Sequence, residues 1–185
     1  MTAHELTESI VYCFRSHAEQ PEKPSKAVRK WDGRTPYGIH PTWCAMTLLA
    51  ETNLPESFRE AGAQALLFHD ILEDTTAELP EGTPDEVIRL VKEMTFASSD
   101  EEMQQIWSKP IEVKLLKLYD KTSNLLDGSW MSIEKRDRYG IYLLDLCAEV
   151  ERHYGEFKLN IVDIARAVVT ADTIRDSRIL TGRNA

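Results

Sequence analysis

The chain has 185 residues, 42% of them hydrophobic, with 22 Lys and Arg against 31 Asp and Glu for a formal net charge of −9. That apolar content is enough for a buried core and excludes a disordered chain as the default reading. The negative balance argues against a nucleic-acid polymer or an anionic membrane as a partner.

Nearly every element in chain order reads as helix. Leu6, Ile10, Cys13, Phe14 and His17 recur at spacings of three and four and predict an amphipathic first helix. Residues 20–37 hold Pro21, Pro24, Gly33 and Pro36 and read as a loop or broken segment. A second helix is expected from His40-Pro41, where proline suits a first turn, to about Glu51. Pro55-Glu56-Ser57 opens a third, carrying Ala61, Ala65, Leu66 and Phe68 into the segment His69-Asp70-Ile71-Leu72-Glu73-Asp74. Residues 75–84 form a turn-rich link, followed by a helix over 85–94 with a stripe of Val87, Ile88 and Val91. A short acidic helix is expected near 99–107, and a long one from Pro110 through Leu126, ended by Gly128. Residues 132–154 form another, with Ile141, Leu144 and Val150 facing inward, and residues 159–180 are helical with a break. No strand alternation, internal repeat or low-complexity tract intervenes. The expected fold class is therefore all-α, a compact multi-helix bundle in one domain over residues 1–185, with C-terminal helices at 131–180.

Charge is unevenly placed. Arg15 to Arg34 carries six basic residues against three acidic, whereas Glu51 to Glu86 carries ten acidic residues against Arg59 alone. A basic strip opposite an acidic, cation-seeking strip suits a small polyanionic ligand. Cys13, Cys44 and Cys147 are scattered, without the spacing of a disulfide framework or a thiolate metal site. No apolar run approaches the ~18 residues of a membrane helix. The start MTAHELTESI lacks the basic and apolar regions of a signal peptide, so a cytoplasmic protein is expected.

The chemistry concentrates at His69, Asp70, Glu73 and Asp74, at the end of the apolar run Ala65-Leu66-Leu67-Phe68. Four ionisable groups in such surroundings need a common partner, and a divalent cation is the obvious one. On a helix, His69 and Glu73, like Asp70 and Asp74, stack one turn apart on neighbouring faces. Two other places supply similar groups: His40 where a loop enters a helix, and Asp120 in an apolar helix with Asn124 one turn later. Two imidazoles and two carboxylates suit Mn²⁺, Fe²⁺, Zn²⁺ or Mg²⁺ and leave room for water and substrate. Tyr142 is a candidate to stack on a purine, and the four tryptophans read as packing.

The order His…His-Asp…Asp resembles the signature of the HD superfamily of metal-dependent phosphohydrolases. Within it the chain is similar to the hydrolase domain of the RelA/SpoT-type alarmone enzymes, particularly the small single-domain hydrolases. The matching blocks are Arg29-Lys30, Gly33 with Thr35-Pro36-Tyr37, His40-Pro41, His69-Asp70 with Glu73-Asp74-Thr75, VIRLVKEMT from Val87, and KLLKLYDKTSNL from Lys114. They cover about residues 26–126. The resemblance implies an HD-domain fold and an enzyme, a (p)ppGpp 3'-pyrophosphohydrolase. His40, His69, Asp70 and Asp120 would hold one metal, commonly Mn²⁺, with Ni²⁺ also within the family's range. Glu73 and Asp74 would position and deprotonate the attacking water, with Asn124 in support. Arg29 and Lys30 would face the nucleotide, with Lys121 beside them. HD domains often pair, so a homodimer is an expectation too. Tyr119 stands where the family has a small residue and Phe96 where an acid is common, departures expected to alter the pocket wall. They leave open a nucleotidase or phosphomonoesterase on another small phosphate, or a nucleotide-sensing module without turnover.

Overall fold

The computed structural model describes residues 1–155 and 158–181. Among these residues nine α-helices follow in order: α1 (Ala3–Glu19), α2 (Ile39–Leu49), α3 (Glu56–Phe68), α4 (Ile71–Asp74), α5 (Asp85–Met94), α6 (Ser99–Gln105), α7 (Ile111–Leu126), α8 (Ile133–Tyr154) and α9 (Asn160–Thr181). Among the described residues there is no strand, and the all-α expectation holds. No helix among them is long and apolar enough to cross a membrane.

Local chemistry sets most boundaries. Thr2 caps α1 in a reciprocal pair with Glu5, and Ser98 and Ser132 cap α6 and α8 with their hydroxyls. Pro55, Pro84 and Pro110 stand directly before α3, α5 and α7, where the missing N–H is harmless. The starts expected for α3, α5, α6, α7 and α8 fall within a residue or two of the observed ones.

The long helix α7 is the axis of the bundle. Every residue from Val113 to Ser123 is buried, and α2, α5, α8 and α9 pack around it. A helix covered on all sides has no polar face to spare, so Lys114, Lys117, Asp120 and Lys121 need partners inside the protein. Close approach on one flank depends on Gly62 of α3. A Cβ there would lie 2.8 Å from Leu48 Cδ2 and 3.1 Å from Leu116 Cδ2.

Three expectations are corrected. The third helix does not run through to Asp74: it stops at Phe68, His69 and Asp70 form a turn, and α4 restarts the chain on a new axis. On α8 the inward face is Tyr139, Tyr142, Leu143, Leu146, Cys147 and Val150, while Ile141 is 64% and Leu144 41% exposed. The apolar side chains there do not all mark the core, because two tyrosines take the buried positions. Helix α9 has no break.

The proline-rich segment before α2 is ordered by backbone bonds to the turn after α4. Glu22 N–H donates to Asp74 O and Thr76 N–H to Gln20 O, both at 2.9 Å. Within the segment Arg29 N–H donates to Thr35 O and Tyr37 N–H to Ala27 O. These bonds carry Lys26, Arg29 and Tyr37 to the mouth of the site.

Candidate metal and phosphate site

Three stretches of chain converge on one point. His40 comes from the first turn of α2, His69 and Asp70 from the turn between α3 and α4, and Asp120 from mid-α7. His40 Nε2 lies 3.5 Å from Asp70 Oδ2 and 3.3 Å from Asp120 Oδ1; His69 Nε2 lies 3.1 and 3.7 Å from the same two oxygens. Ligand atoms of His40, His69 and Asp120 all fall within 4.8 Å of one another. All four residues are buried.

The outer atoms of this set are tied down. His69 Nδ1 donates to Leu66 O at 2.7 Å, and His40 Nδ1 is paired with Ser123 Oγ at 2.8 Å. The Asp120 carboxylate is split: Oδ1 faces the imidazoles and Asn124, while Oδ2 faces Lys117 at 3.1 Å and Lys121 at 3.2 Å. Both Nε2 atoms, by contrast, are buried without a hydrogen-bond partner. Orphaned buried nitrogens that share a focus with two carboxylate oxygens fit a divalent cation. Electrostatics points the same way. Burial by itself disfavours a proton on His69, yet the Asp70 and Asp120 carboxylates drive its pKa to about 10. The pair of acids thus demands a positive charge at this spot. Burial disfavours ionised Asp120 as well, but Lys121 and Lys117 hold it well below the usual carboxylate range.

Glu73 and Asp74 sit one helical turn beyond. Glu73 accepts the Phe96 N–H at 3.0 Å, and Asp74 forms a close ion pair with Lys26. Burial pushes the Glu73 carboxyl up to about 7, with Lys117 opposing and Asp70 adding to the rise. Burial raises Asp74 too, beside Asp70, and Lys26 counters it.

A cavity opens over this centre. Its basic lining is Lys26, Arg29, Lys30, Lys117, Lys121 and Lys135, facing the acids Asp70, Glu73, Asp74 and Asp120. One wall is aromatic: Trp130 lies under Lys30 at 4.5 Å and Lys135 at 4.9 Å, with Tyr139 beside it. Of the residues expected at the substrate, Lys30 and Lys121 line the cavity. Arg29 lines it too, but its guanidinium is committed to Asp127 (2.6 and 2.9 Å) and Asn124 (3.0 Å), so it braces the wall.

Tyr142 is a correction. It lies outside this cavity, 4% exposed, with its hydroxyl on Glu102 at 3.0 Å and its ring edge against Trp107. Tyr139, three residues earlier on the same helix, holds the wall position. Tyr119 is also away from the cavity, wholly buried, so that departure from the family pattern leaves the wall unchanged. Sequence reasoning missed Lys26, Tyr37, Trp130, Lys135 and Tyr139. Tyr37 stood in plain view inside the motif block, and the spacing of Lys135 and Tyr139 puts both on one face of α8.

No family model matches the chain. A GTP pyrophosphokinase of Myxococcus xanthus is 31% identical over 169 residues, or 81% of this chain. The match takes in 20% of that protein, so the chain spans about a fifth of its relative's length. A solved structure, described as a metazoan ortholog of SpoT that hydrolyzes ppGpp and plays a role in starvation responses, aligns with a TM-score of 0.65 at 21% identity. That alignment covers 92% of this chain and 97% of the other. The RelA/SpoT-type resemblance is thus borne out, and the all-α fold is the one this SpoT ortholog adopts.

Proposed function

We propose that the chain is a metal-dependent phosphohydrolase that removes pyrophosphate from the 3' position of (p)ppGpp. The observation that carries this reading is the convergence of His40, His69, Asp70 and Asp120, with both Nε2 atoms unpartnered, at the floor of a basic cavity. These four residues would hold one divalent cation, Mn²⁺ by preference. Bound there, such an ion supplies Lewis acidity and lowers the pKa of water. The rest of the chemistry belongs to side chains. Glu73 and Asp74 orient the attacking water and accept its proton, a task suited to carboxylates raised by burial. Lys117 and Lys121, paired with Asp120 and Glu102, keep the Asp120 carboxylate ionised toward the cation and lend fixed positive charge to the floor of the cavity. Lys30 and Lys135 balance the outer phosphates, and the Trp130–Tyr139 wall accepts the face of a base.

The test is to incubate the protein with ppGpp and Mn²⁺ and follow pyrophosphate and GDP. Release of both, abolished in His40→Ala and Asp120→Asn, is the expected result. No turnover, with Mn²⁺ shown to be bound, rejects this substrate. Of the two departures from the family pattern, Tyr119 does not reach the cavity, while Phe96 donates its N–H to Glu73 at 3.0 Å and lines the adjoining space; the reading of a different small phosphate rests on Phe96 alone.

A further inference from the structure

The Asp70 oxygen that faces both imidazoles has a second partner. Tyr37 Oη donates to Asp70 Oδ2 at 2.7 Å, and the same Oδ2 lies 3.1 Å from His69 Nε2 and 3.5 Å from His40 Nε2. A carboxylate oxygen has two lone-pair directions. With one occupied by the tyrosine proton, the other is left aimed at the point where the two Nε2 atoms converge. The phenol itself is clamped. Its ring stacks on His17 at 4.4 Å and 29°, meets His40 edge-on at 5.9 Å, and lies under the Arg29 guanidinium at 5.0 Å. His17, 1% exposed, comes from the last turn of α1, so the end of that helix buttresses the ring. Asp74 is close enough to feel the same hydroxyl. Tyr37 therefore stands between the acid that faces the ion and the acid that faces the water.

We infer that Tyr37 is a positioning residue for metal capture: its hydroxyl fixes the Asp70 carboxylate in the ligating orientation, and the His17 stack fixes the hydroxyl. The inference rests on Asp70 being a ligand, as proposed above. Partners that orient a ligand in this way are worth about ten- to a hundredfold in metal affinity.

The experiment titrates metal-free protein with Mn²⁺ and reads free Mn²⁺ by electron paramagnetic resonance, beside a thermal melt of the metal-free form. Tyr37→Phe keeps the ring and removes only the hydroxyl; its Kd for Mn²⁺ should rise about ten- to a hundredfold, with the melt unchanged. His17→Ala, which keeps the hydroxyl but frees the ring, should weaken binding several-fold; it also serves if Tyr37→Phe folds poorly. Mn²⁺ binding by both variants within twofold of the parent overturns the inference while leaving the ligand set intact. Asp70→Asn separates the two readings: it should lose Mn²⁺, and if it binds as the parent does, the ligand assignment itself is wrong.

Discussion

Replacing Lys117 with Met removes one of two buried ammonium groups that balance two buried carboxylates. Lys117 Nζ lies 3.2 Å from Glu102 and 3.1 Å from Asp120, while Lys121 Nζ lies 2.8 and 3.2 Å from the same acids. Lys117 is 1% exposed and Glu102 4%, so water cannot take over. Removing one partner of a buried pair costs about 3–5 kcal/mol. Because Lys121 still touches both acids, the lower end applies, about 3 kcal/mol. With a urea m-value of about 2–3 kcal/mol/M, the midpoint of the metal-free protein should fall by roughly 1–1.5 M. Adding Glu102→Gln restores the balance of one lysine to one acid, so the double variant should regain about half the loss, a coupling visible in a double-mutant cycle. Circular dichroism of chelator-treated protein measures all four species. A Lys117→Met midpoint indistinguishable from the parent's, or strict additivity in the cycle, would refute the reasoning.

Tyr139→Ala should raise KM for ppGpp about tenfold, the scale of one lost stacking contact, whereas Tyr142→Phe should leave KM alone; steady-state kinetics with saturating Mn²⁺ decides. Lys26→Met removes the charge that holds Asp74 down, so the Asp74 carboxyl rises further. The acidic limb of the kcat–pH profile should then move to higher pH, and an unmoved limb means Asp74 does not take the proton. Burial lowers His17 from 6.5 to about 4, opposed by Asp70. The unfolded chain therefore binds a proton that the folded one refuses, and stability falls as pH drops from 6.5 to 4, by at most about 3 kcal/mol. His17→Phe keeps the stack on Tyr37 and should flatten that decline in denaturant midpoints measured across the range.

Most helices could be read from the sequence because each carries its own signals: Pro55 and Pro110 at starts, Ser132 at the head of α8, and Val87 and Val91 in the stripe of α5, where Leu90 rather than Ile88 completes the buried face. The convergence of His40, His69, Asp70 and Asp120 was legible because imidazoles and acids in apolar helices have few other uses. What escaped was set by contacts distant in the chain or by helix phase. Lys26 lies in a segment broken by prolines and meets Asp74 only because backbone bonds at Glu22 and Thr76 fold that segment back. On α8, Ile141 and Leu144 read as core by composition, yet aromatic residues with hydroxyl partners on α6, Ser99 and Glu102, claim the inner face. The turn at His69-Asp70 has no glycine or proline to mark it. It follows from tertiary packing that drives α3 into the core and turns both side chains toward Asp120 of α7.

Anomalous diffraction from crystals of the Mn²⁺-loaded protein is the most direct test. A single strong peak should sit about 2.0–2.3 Å from His40 Nε2, His69 Nε2 and one oxygen each of Asp70 and Asp120. A peak among Glu73, Asp74 and Lys26 instead, or no peak with Mn²⁺ in excess, would contradict the shared ion site.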